Sequence, residues 1–370
     1  MNTKILKQKI LAELLTNDEW KTVKLGDVGH WQAGTTPSRT NKKYYEKGII
    51  PWLKTGDLND GFVSEVPEKI TELAMQECRQ LKLHPKGSVA IALYGATIGK
   101  CGIFDIETTT NQACLVCRPN ELTYNIFLFY FLVSKNDYFK EAAGGGAQPN
   151  ISKDIVIKTE IPLPPLSVQK SIVNRIERLF AEIDRIETAR QVLLQLVKTA
   201  KQKTLQLAIT GELTNADTST WKTVKLGEVC ELVYGNSLTK QNRVNGNVPV
   251  FGSNGQIGTH NISITEGNTI IIGRKGSIGE VHYSKSPCWV IDTAYYVKIK
   301  CNINTEFLYM LLGYLQLNRL NKATAIPGLN RDDVYEISIP LPPLSVQQQI
   351  VEKIERIFTE IETIEKLIRN

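Results

Sequence analysis

The segment Gly95–Cys101 (GATIGKC) has the residue types of a phosphate-binding loop, in which glycine amides and a lysine hold a nucleotide phosphate. Its spacing does not fit that chemistry. The segment is one residue short between its glycines, and Cys101 stands where Ser or Thr would bind magnesium. In the related segment of the second half, Glu280 replaces Lys100 and would repel a phosphate. The sequence therefore predicts no nucleotide site here.

The other reactive side chains also lack the spacing of a catalytic or metal site. Cys114 and Cys117 form a single CxxC pair in an apolar, strand-like run, without a second pair or a histidine at zinc-site spacing, which indicates buried packing. The scattered cysteines favour free thiols in a reducing cytosol. No amino-methyltransferase signature (Asn/Asp-Pro-Pro-Tyr/Phe) occurs. We therefore expect no catalytic residue, no metal site and no cofactor in this chain, and an ordinary structural role for each histidine: His30, His84, His260 and His282.

Two long stretches without an acidic residue carry side chains of the kind that read DNA. Cys78–Phe104 contains four cations, and Leu232–Thr265 combines two cations with many amides and hydroxyls. Base edges are read by Arg, Lys, Asn, Gln, Ser and Thr, whereas carboxylates near phosphates repel. Polar surface loops are the alternative for any single residue, but the coincidence in both halves favours DNA. The formal net charge of +6 is compatible with nucleic acid and decides nothing alone.

Repeated segments frame these stretches. The first variable block, from about Trp20 to Glu160, is 23 residues longer than the second, Trp221 to Ser338. The middle parts of the two blocks differ, while the segments that flank them repeat. We therefore predict that the two blocks share one fold and that each recognises something different. The matching segments are IPLPPLSVQ at 161–169 and 339–347, WKTVKLG at 20–26 and 221–227, and KQK at 7–9 and 201–203.

A long helix follows each IPLPPLSVQ segment. Two prolines forbid helix upstream, Ser167 and Ser345 are the predicted N-caps, Gln348 completes a capping box, and Gly211 is the predicted stop. Val168–Ile209 would span roughly 60 Å. Apolar residues at alternating steps of four and three predict a coiled-coil seam. Its predicted members are Ile172, Ile176, Leu179, Ile183 and Ile186, and Ile350, Ile354, Ile357, Ile361 and Ile364.

These patterns predict an α+β fold with two mixed α/β domains separated by two long antiparallel coiled-coil helices, in a circular pseudo-two-fold arrangement. The alternative is that each helix is a dimerisation arm or packs only on its own block. The apolar run Ile126–Val133 is too short to span a bilayer, and with no secretory signal in view we expect a cytoplasmic protein. The predicted segments are an N-terminal helix that completes the repeated region at the chain ends (1–16), two variable domains (17–160 and 212–338), and coiled-coil helices (161–211 and 339–370).

Several of these segments together resemble the specificity subunit of a type I restriction–modification system. They are the repeated IPLPPLSVQ-plus-helix region, Pro37–Leu58, Pro249–Asn261 and Ile270–Val297. The resemblance implies a non-catalytic subunit that reads an asymmetric bipartite target in double-stranded DNA, one half per recognition domain, with the helices setting the gap. It also implies two methyltransferase subunits, which methylate adenine N6 with S-adenosylmethionine, and two restriction subunits that use ATP and magnesium.

The resemblance and the loop polarity together nominate the DNA-contacting residues. Two other classes stay open: a structural scaffold whose blocks bind protein, and a fused methyltransferase–reader. Steep weakening by salt would favour DNA over protein, and methylation by the isolated chain would favour the enzyme. The nominated residues are Thr36, Ser38, Arg39, Lys54 and Lys100 in the first block, and Ser237, Lys240, Arg243, Ser253, Asn254, Arg274 and Lys275 in the second.

Overall fold

The computed structural model describes residues 3–143, 150–320 and 328–369. The chain folds as two units, Met1–Thr188 and Ala189–Asn370. In both units the order along the chain is a helix, a mixed block of strands and short helices, and a second helix. The predicted α+β class is confirmed. One helix, of 44 residues, is the last helix of unit 1 and the first helix of unit 2.

Unit 1 is built around a five-stranded sheet of order β2-β9-β6-β7-β4, with a three-stranded sheet β5-β3-β8 and a two-stranded sheet β1-β10. Its strands are β1 (Thr22–Lys24), β2 (Gly29–Ala33), β3 (Ile50–Leu53), β4 (Gly61–Val63), β5 (Lys69–Ile70), β6 (Val89–Ala92), β7 (Cys101–Phe104), β8 (Thr109–Thr110), β9 (Cys114–Pro119) and β10 (Glu160–Pro162). Its helices are α1 (Thr3–Leu14), α2 (Glu72–Glu77), α3 (Asn125–Ser134), α4 (Asn136–Ala142), α5 (Lys153–Lys158) and the first half of α6 (Leu166–Ile209).

Unit 2 repeats this plan with a four-stranded sheet β12-β18-β15-β16, a three-stranded sheet β14-β13-β17 and a two-stranded sheet β11-β19. Its strands are β11 (Lys222–Lys225), β12 (Cys230–Tyr234), β13 (Val248–Gly252), β14 (Gly255–His260), β15 (Thr269–Gly273), β16 (Val281–Ser284), β17 (Trp289–Val290), β18 (Ala294–Ile299) and β19 (Ser338–Leu341). Its helices are the second half of α6, α7 (Leu226–Val229), α8 (Thr305–Tyr314), α9 (Arg331–Tyr335) and α10 (Leu344–Arg369).

The core of each unit lies between its main sheet and one apolar helix. All residues of β6 and β15 are buried, as expected for central strands with continuous apolar runs. The helix α3 packs on β6 and β7, and α8 packs on β15 and β16. In β9, Cys114 belongs to the apolar cluster on one side of the sheet and Cys117 to the cluster on the other. The prediction that this CxxC pair is buried packing is confirmed, and burial raises the pKa of the Cys117 thiol to about 12.

Paired helices close each unit. In unit 1, Leu11 of α1 shares an apolar cluster with Val173 and Ile176 of α6. In unit 2 the second half of α6 runs antiparallel to α10, because Arg190 Nε donates to the Ile368 carbonyl at 3.1 Å and Lys201 Nζ pairs with Glu365 at 3.0 Å further along.

The predicted seam is wrong at its outer ends. Ile186 and Ile364 are 67% and 51% exposed, and Glu187 and Glu365, one residue further on, are half-buried instead. A step of four after position 183, and again after 361, keeps the contact face turned toward the neighbouring helix. Four of the predicted members are buried (Ile176, Ile183, Ile350 and Ile354) and four are half-buried (Ile172, Leu179, Ile357 and Ile361).

The start of each long helix also differs from the prediction. The helices begin at Leu166 and Leu344, so Ser167 and Ser345 lie inside the first turn and are not N-caps. The carbonyls of Pro165 and Pro343 accept the first helical hydrogen bonds. Gln348 does not form a capping box, because its amide donates to Glu352 at 3.1 Å.

A buried glutamine connects each helix start to its block. Gln347 is 1% exposed, donates to the Pro342 carbonyl at 2.7 Å and accepts from the Asn304 amide at 2.8 Å. Gln169 forms the same pattern with Pro164 and Tyr124 in unit 1. The repeat therefore conserves a polar contact that joins the helix to the segment before α3 or α8.

His84 makes the stability of unit 1 depend on pH. The side chain is 1% exposed, and its Nδ1 has no hydrogen-bond partner among the described residues. Burial, with a smaller contribution from the nearby Arg118, lowers the pKa of His84 to about 4. In the unfolded chain His84 binds a proton below about pH 6.5, whereas in the folded chain it binds one only below about pH 4. The free energy of unfolding therefore falls as the pH drops through that range.

We expect this histidine to contribute a loss of about 3 kcal/mol between pH 7 and pH 4. The variant His84→Leu should lose less stability than the wild type over the same range, because it has no imidazole to protonate. Denaturant unfolding at pH 7, 5.5 and 4 measures the difference between the two proteins. Equal pH dependence of both would show that His84 does not carry the effect.

No described helix is long and apolar enough to cross a membrane. Within residues 3–143, 150–320 and 328–369 there is also no group of three or more His, Cys, Asp or Glu side chains that could hold a metal ion.

Candidate nucleic-acid interface

The loops that carry most of the nominated residues leave each main sheet at one edge. In unit 1, Ala33 at the end of β2 pairs with Leu115, and Ala92 at the end of β6 pairs with Cys114. Both strands therefore end beside the start of β9. The same register occurs in unit 2, where the ends of β12 and β15 lie beside the start of β18 through the pairs Tyr234–Tyr295 and Gly273–Ala294. Residues far apart in sequence are brought together at this edge, which we call the loop edge.

Two cations and one carboxylate form the centre of the loop edge in unit 1. Arg39 pairs with Glu68, its second nitrogen at 3.2 Å, and Lys54 Nζ lies 2.8 Å from the same carboxylate. The Arg39 guanidinium carbon lies 4.5 Å from the ring centre of Tyr45 and 4.7 Å from that of Trp52. The hydrogen bond from Arg39 lowers the pKa of Glu68. Arg39 is thus held on two aromatic rings and shares one carboxylate with Lys54.

The other nominated residues of unit 1 do not form one group. Thr36 is half-buried and bonds to Gln112, and Ser38 is exposed, with its hydroxyl 2.9 Å from that of Thr40. Lys100 lies apart from them, in a groove with Lys4 and Gln8 of α1. Its loop also cannot cradle a phosphate, because three of its amides already donate to backbone carbonyls: those of Ile98, Gly99 and Lys100.

At the loop edge of unit 2, Arg274 and Arg331 form no ion pair with a carboxylate of the described residues. The guanidinium carbons of Arg274 and Arg331 lie 5.0 and 5.3 Å from the ring centre of Tyr234, which is 45% exposed. The ring of Tyr295 packs on Tyr234 at 5.0 Å, and its hydroxyl donates to the Leu329 carbonyl at 3.0 Å. Burial raises the pKa of Tyr295 to about 12, so this phenol stays a donor at neutral pH.

The remaining nominated residues of unit 2 differ in how accessible they are. Lys275 is exposed beside Arg274, while Ser253 lies at the same loop, its hydroxyl 3.4 Å from where a Cβ on Gly276 would lie. Arg243 is half-buried and turned inward, donating to the Ile257 carbonyl at 2.8 Å, which indicates a structural role. Three more are exposed loop residues: Ser237, Lys240 and Asn254.

Three residues of the loop edges escaped the sequence analysis: Glu68, Tyr234 and Arg331. Glu68 lies 29 positions from Arg39, and Arg331 lies far from Tyr234 along the chain, so no local pattern links them. Of these three residues, only Arg331 could have been found from the sequence. It lies two residues after the Pro-Gly-Leu segment at 327–329, which matches Pro-Asn-Ile at 149–151 in the first block.

Similarity to known proteins identifies the family. A family model described as the type I restriction modification DNA specificity domain matches residues 17–195 and 218–370. This chain belongs to that family. The predicted resemblance to a specificity subunit is confirmed, and the relatives are named as specificity subunits, which supports the prediction that this chain is not an enzyme.

The similar specificity subunits are matched over nearly their whole length. The EcoprrI subunit of Escherichia coli is 25% identical over 97% of this chain and 92% of its own. The MjaIX subunit of Methanocaldococcus jannaschii is 24% identical over 93% and 88%. Two solved chains share the fold, each at 21% identity over 95% of this chain. One, from a study of complex assembly in a type I R-M system, has a TM-score of 0.70 and is covered over 93%. The HsdS subunit of Thermoanaerobacter tengcongensis has a TM-score of 0.61, and the match covers 92% of its length.

Proposed function

We propose that this specificity subunit reads an asymmetric bipartite DNA target, one half through each recognition domain (17–160 and 212–338). The observation that carries the proposal is the loop edge. Both units present loops from the same strand register, but unit 1 offers Arg39 and Lys54 around Glu68, whereas unit 2 offers Arg274 and Arg331 around Tyr234. One scaffold with different side chains at the same edge is suited to reading two different half-sites. The continuous helix α6 supports the further proposal that the helices set the gap between the halves.

The partners we propose are two methyltransferase subunits and two restriction subunits, acting in the cytoplasm. Identical exposed residues in the two units support a partner that binds twice, because exposed positions nearby have diverged, such as Lys170 against Gln348. These identical pairs include Lys21 and Lys222, Thr22 and Thr223, Lys24 and Lys225, and Leu166 and Leu344. Adenine N6 methylation with S-adenosylmethionine, and ATP- and magnesium-dependent restriction, would belong to these partners.

Base-resolution methylation sequencing tests the proposal. Cells that co-express this chain with the methyltransferase subunit of its system should acquire one new, asymmetric, two-part methylated motif. Exchanging residues 221–338 for the matching block of a relative should change only one half of the motif. The control is the same pair with an inactive methyltransferase. A stable complex that methylates no new motif would contradict the proposal and favour a protein-binding scaffold, whose binding need not weaken steeply with salt.

A further inference from the structure

The loop edge of unit 2 concentrates positive charge that the described part of the chain does not neutralise. Both guanidinium groups lie within 5.3 Å of the Tyr234 ring centre, so their charges are at most about 10 Å apart. Within the described residues, no carboxylate forms an ion pair with Arg274 or Arg331. The Nε of Arg274 is also buried and has no hydrogen-bond partner there. Like charges held this close favour the binding of an anion.

Unit 1 shows how this protein neutralises such a cluster. There, Arg39, which lies on two aromatic rings, and Lys54 share the Glu68 carboxylate, and one oxygen of that carboxylate lies 2.8 Å from Lys54 Nζ. At the corresponding edge of its sheet, unit 2 holds two cations against one aromatic ring, and no carboxylate of the described residues pairs with them. An anion with oxygen acceptors like those of Glu68 would complete this cluster.

The equivalent positions in unit 1 do not offer this arrangement. Leu93 corresponds to Arg274: the Leu93 carbonyl accepts a hydrogen bond from the Ile151 amide, and the Arg274 carbonyl accepts the matching bond from the Leu329 amide. Lys153, which opens α5 as Arg331 opens α9, donates to the Trp31 carbonyl at 3.1 Å. The cluster is therefore a property of unit 2.

We propose that Arg274 and Arg331 together hold one backbone phosphate of the bound DNA, oriented by the ring of Tyr234. The inference rests on the proposed DNA-reading function and adds that this contact positions the duplex instead of reading a base. A shallow cavity of about 290 Å³ lies beside Arg274 and is lined by Tyr234, Lys275 and Asn330 among others. Arg331 directly follows Asn330 of this lining.

A base edge fits the cluster less well than a phosphate does. An arginine that reads guanine extends its planar fork into the major groove and makes two parallel hydrogen bonds to neutral acceptors. Here both guanidinium groups lie against one tyrosine, which holds the two charges near each other. Neutral base edges would leave their charges uncompensated, whereas one phosphate accepts charge-assisted hydrogen bonds from two guanidinium groups.

The test uses the full chain in complex with its methyltransferase subunit and a duplex carrying the methylated motif. Affinity is measured between 50 and 200 mM salt for the wild type, Arg274→Gln, Arg331→Gln and the double variant. We expect each single variant to bind about tenfold more weakly. In the double variant the slope of log affinity against log salt should fall by about one, as expected for one shared phosphate and not two. The methylated motif should stay the same.

Lys298→Gln is the matched control, because it removes one exposed charge at the far end of β18 in the same unit. It should change neither affinity nor slope. Arg274→Lys keeps the charge and serves as a second variant if the glutamine variant fails to fold. If an arginine variant methylated a motif that accepts several bases at one position, the proposal would be overturned in favour of base reading. An unchanged slope in the double variant would also overturn it. A wild-type complex without sequence-specific binding would instead overturn the proposed function itself.

Discussion

Replacing Gln347 with leucine should lower the free energy of unfolding of unit 2 by about 3–5 kcal/mol. The side chain is 1% exposed and accepts from the Asn304 amide while it donates to the Pro342 carbonyl. Leucine fills a similar volume but leaves a buried donor and a buried acceptor unpaired, at a cost of about 1–3 kcal/mol for each. The helix α10 would also lose its polar connection to the segment that begins α8.

Gln348→Leu is the control for this variant. Gln348 is the next residue and also carries an amide side chain, but it is exposed: it donates to Glu352 at 3.1 Å and accepts from the Asn304 side chain, not from the Asn304 backbone, at 3.0 Å. We expect a loss below about 1 kcal/mol, because water replaces the bonds of an exposed amide. Denaturant unfolding gives the two values, and hydrogen exchange of the Asn304 amide reports the contact directly. Equal losses in both variants would mean that Gln347 does not connect the helix to the block.

Gly235→Ala should cost about 3 kcal/mol or more and disturb the loop edge of unit 2. A Cβ at this position would come closer than 3.0 Å to the carbonyls of Ile291 and Val290, which are backbone atoms that a rotamer change does not move. The Gly235 amide donates to the Ala294 carbonyl at 3.1 Å, so the two strands cannot separate without breaking the sheet. Loop residues 236–243 begin here, and we expect the half of the methylated motif read by unit 2 to be lost or weakened.

Gly313→Ala provides a matched substitution in the same unit. Gly313 lies in α8, and an added Cβ would meet nothing within 4 Å. Alanine favours a helix over glycine, so we expect a gain of about 0.5–1 kcal/mol. Thermal unfolding of both variants compares the same chemical change in two environments. If Gly235→Ala were as stable as the wild type, the close packing at the end of β12 would be disproved.

The helix seam illustrates where a sequence pattern stops being sufficient. Apolar periodicity correctly predicted the helices and their antiparallel pairing in unit 2, because a seam recurs at every turn. It failed at Ile186 and Ile364, where the half-buried positions are Glu187 and Glu365. The Glu365 carboxylate pairs with Lys201 of the facing helix. Whether a polar residue belongs to the contact face depends on the residue it pairs with. That residue lies on another helix, so the local sequence pattern does not show it.

The candidate site, too, could be predicted from the sequence only in part. Arg39, Lys54 and Arg274 lie at the loop edges, but all three lie outside the two acid-free stretches and were nominated through the family resemblance. The sequence could not distinguish Arg243, which donates to a backbone carbonyl, from Arg274, whose neighbours come from separate segments of the chain: the end of β12, the start of β18 and residues 328–330. Both are arginines in polar segments, and only the strand register places one inward and the other on a tyrosine.

By itself, the sequence determined the family, the duplicated order of helix, block and helix, and the lack of a catalytic pattern. Each of these depends on motifs of about ten residues, or on repeats, that are legible within one chain. The tertiary structure alone decided which cations are neutralised and which are not. That outcome depends on distances between loops, as between Arg39 and Glu68, or between Tyr234 and Arg331. Electrostatic interactions act through space, and it is folding that sets those distances.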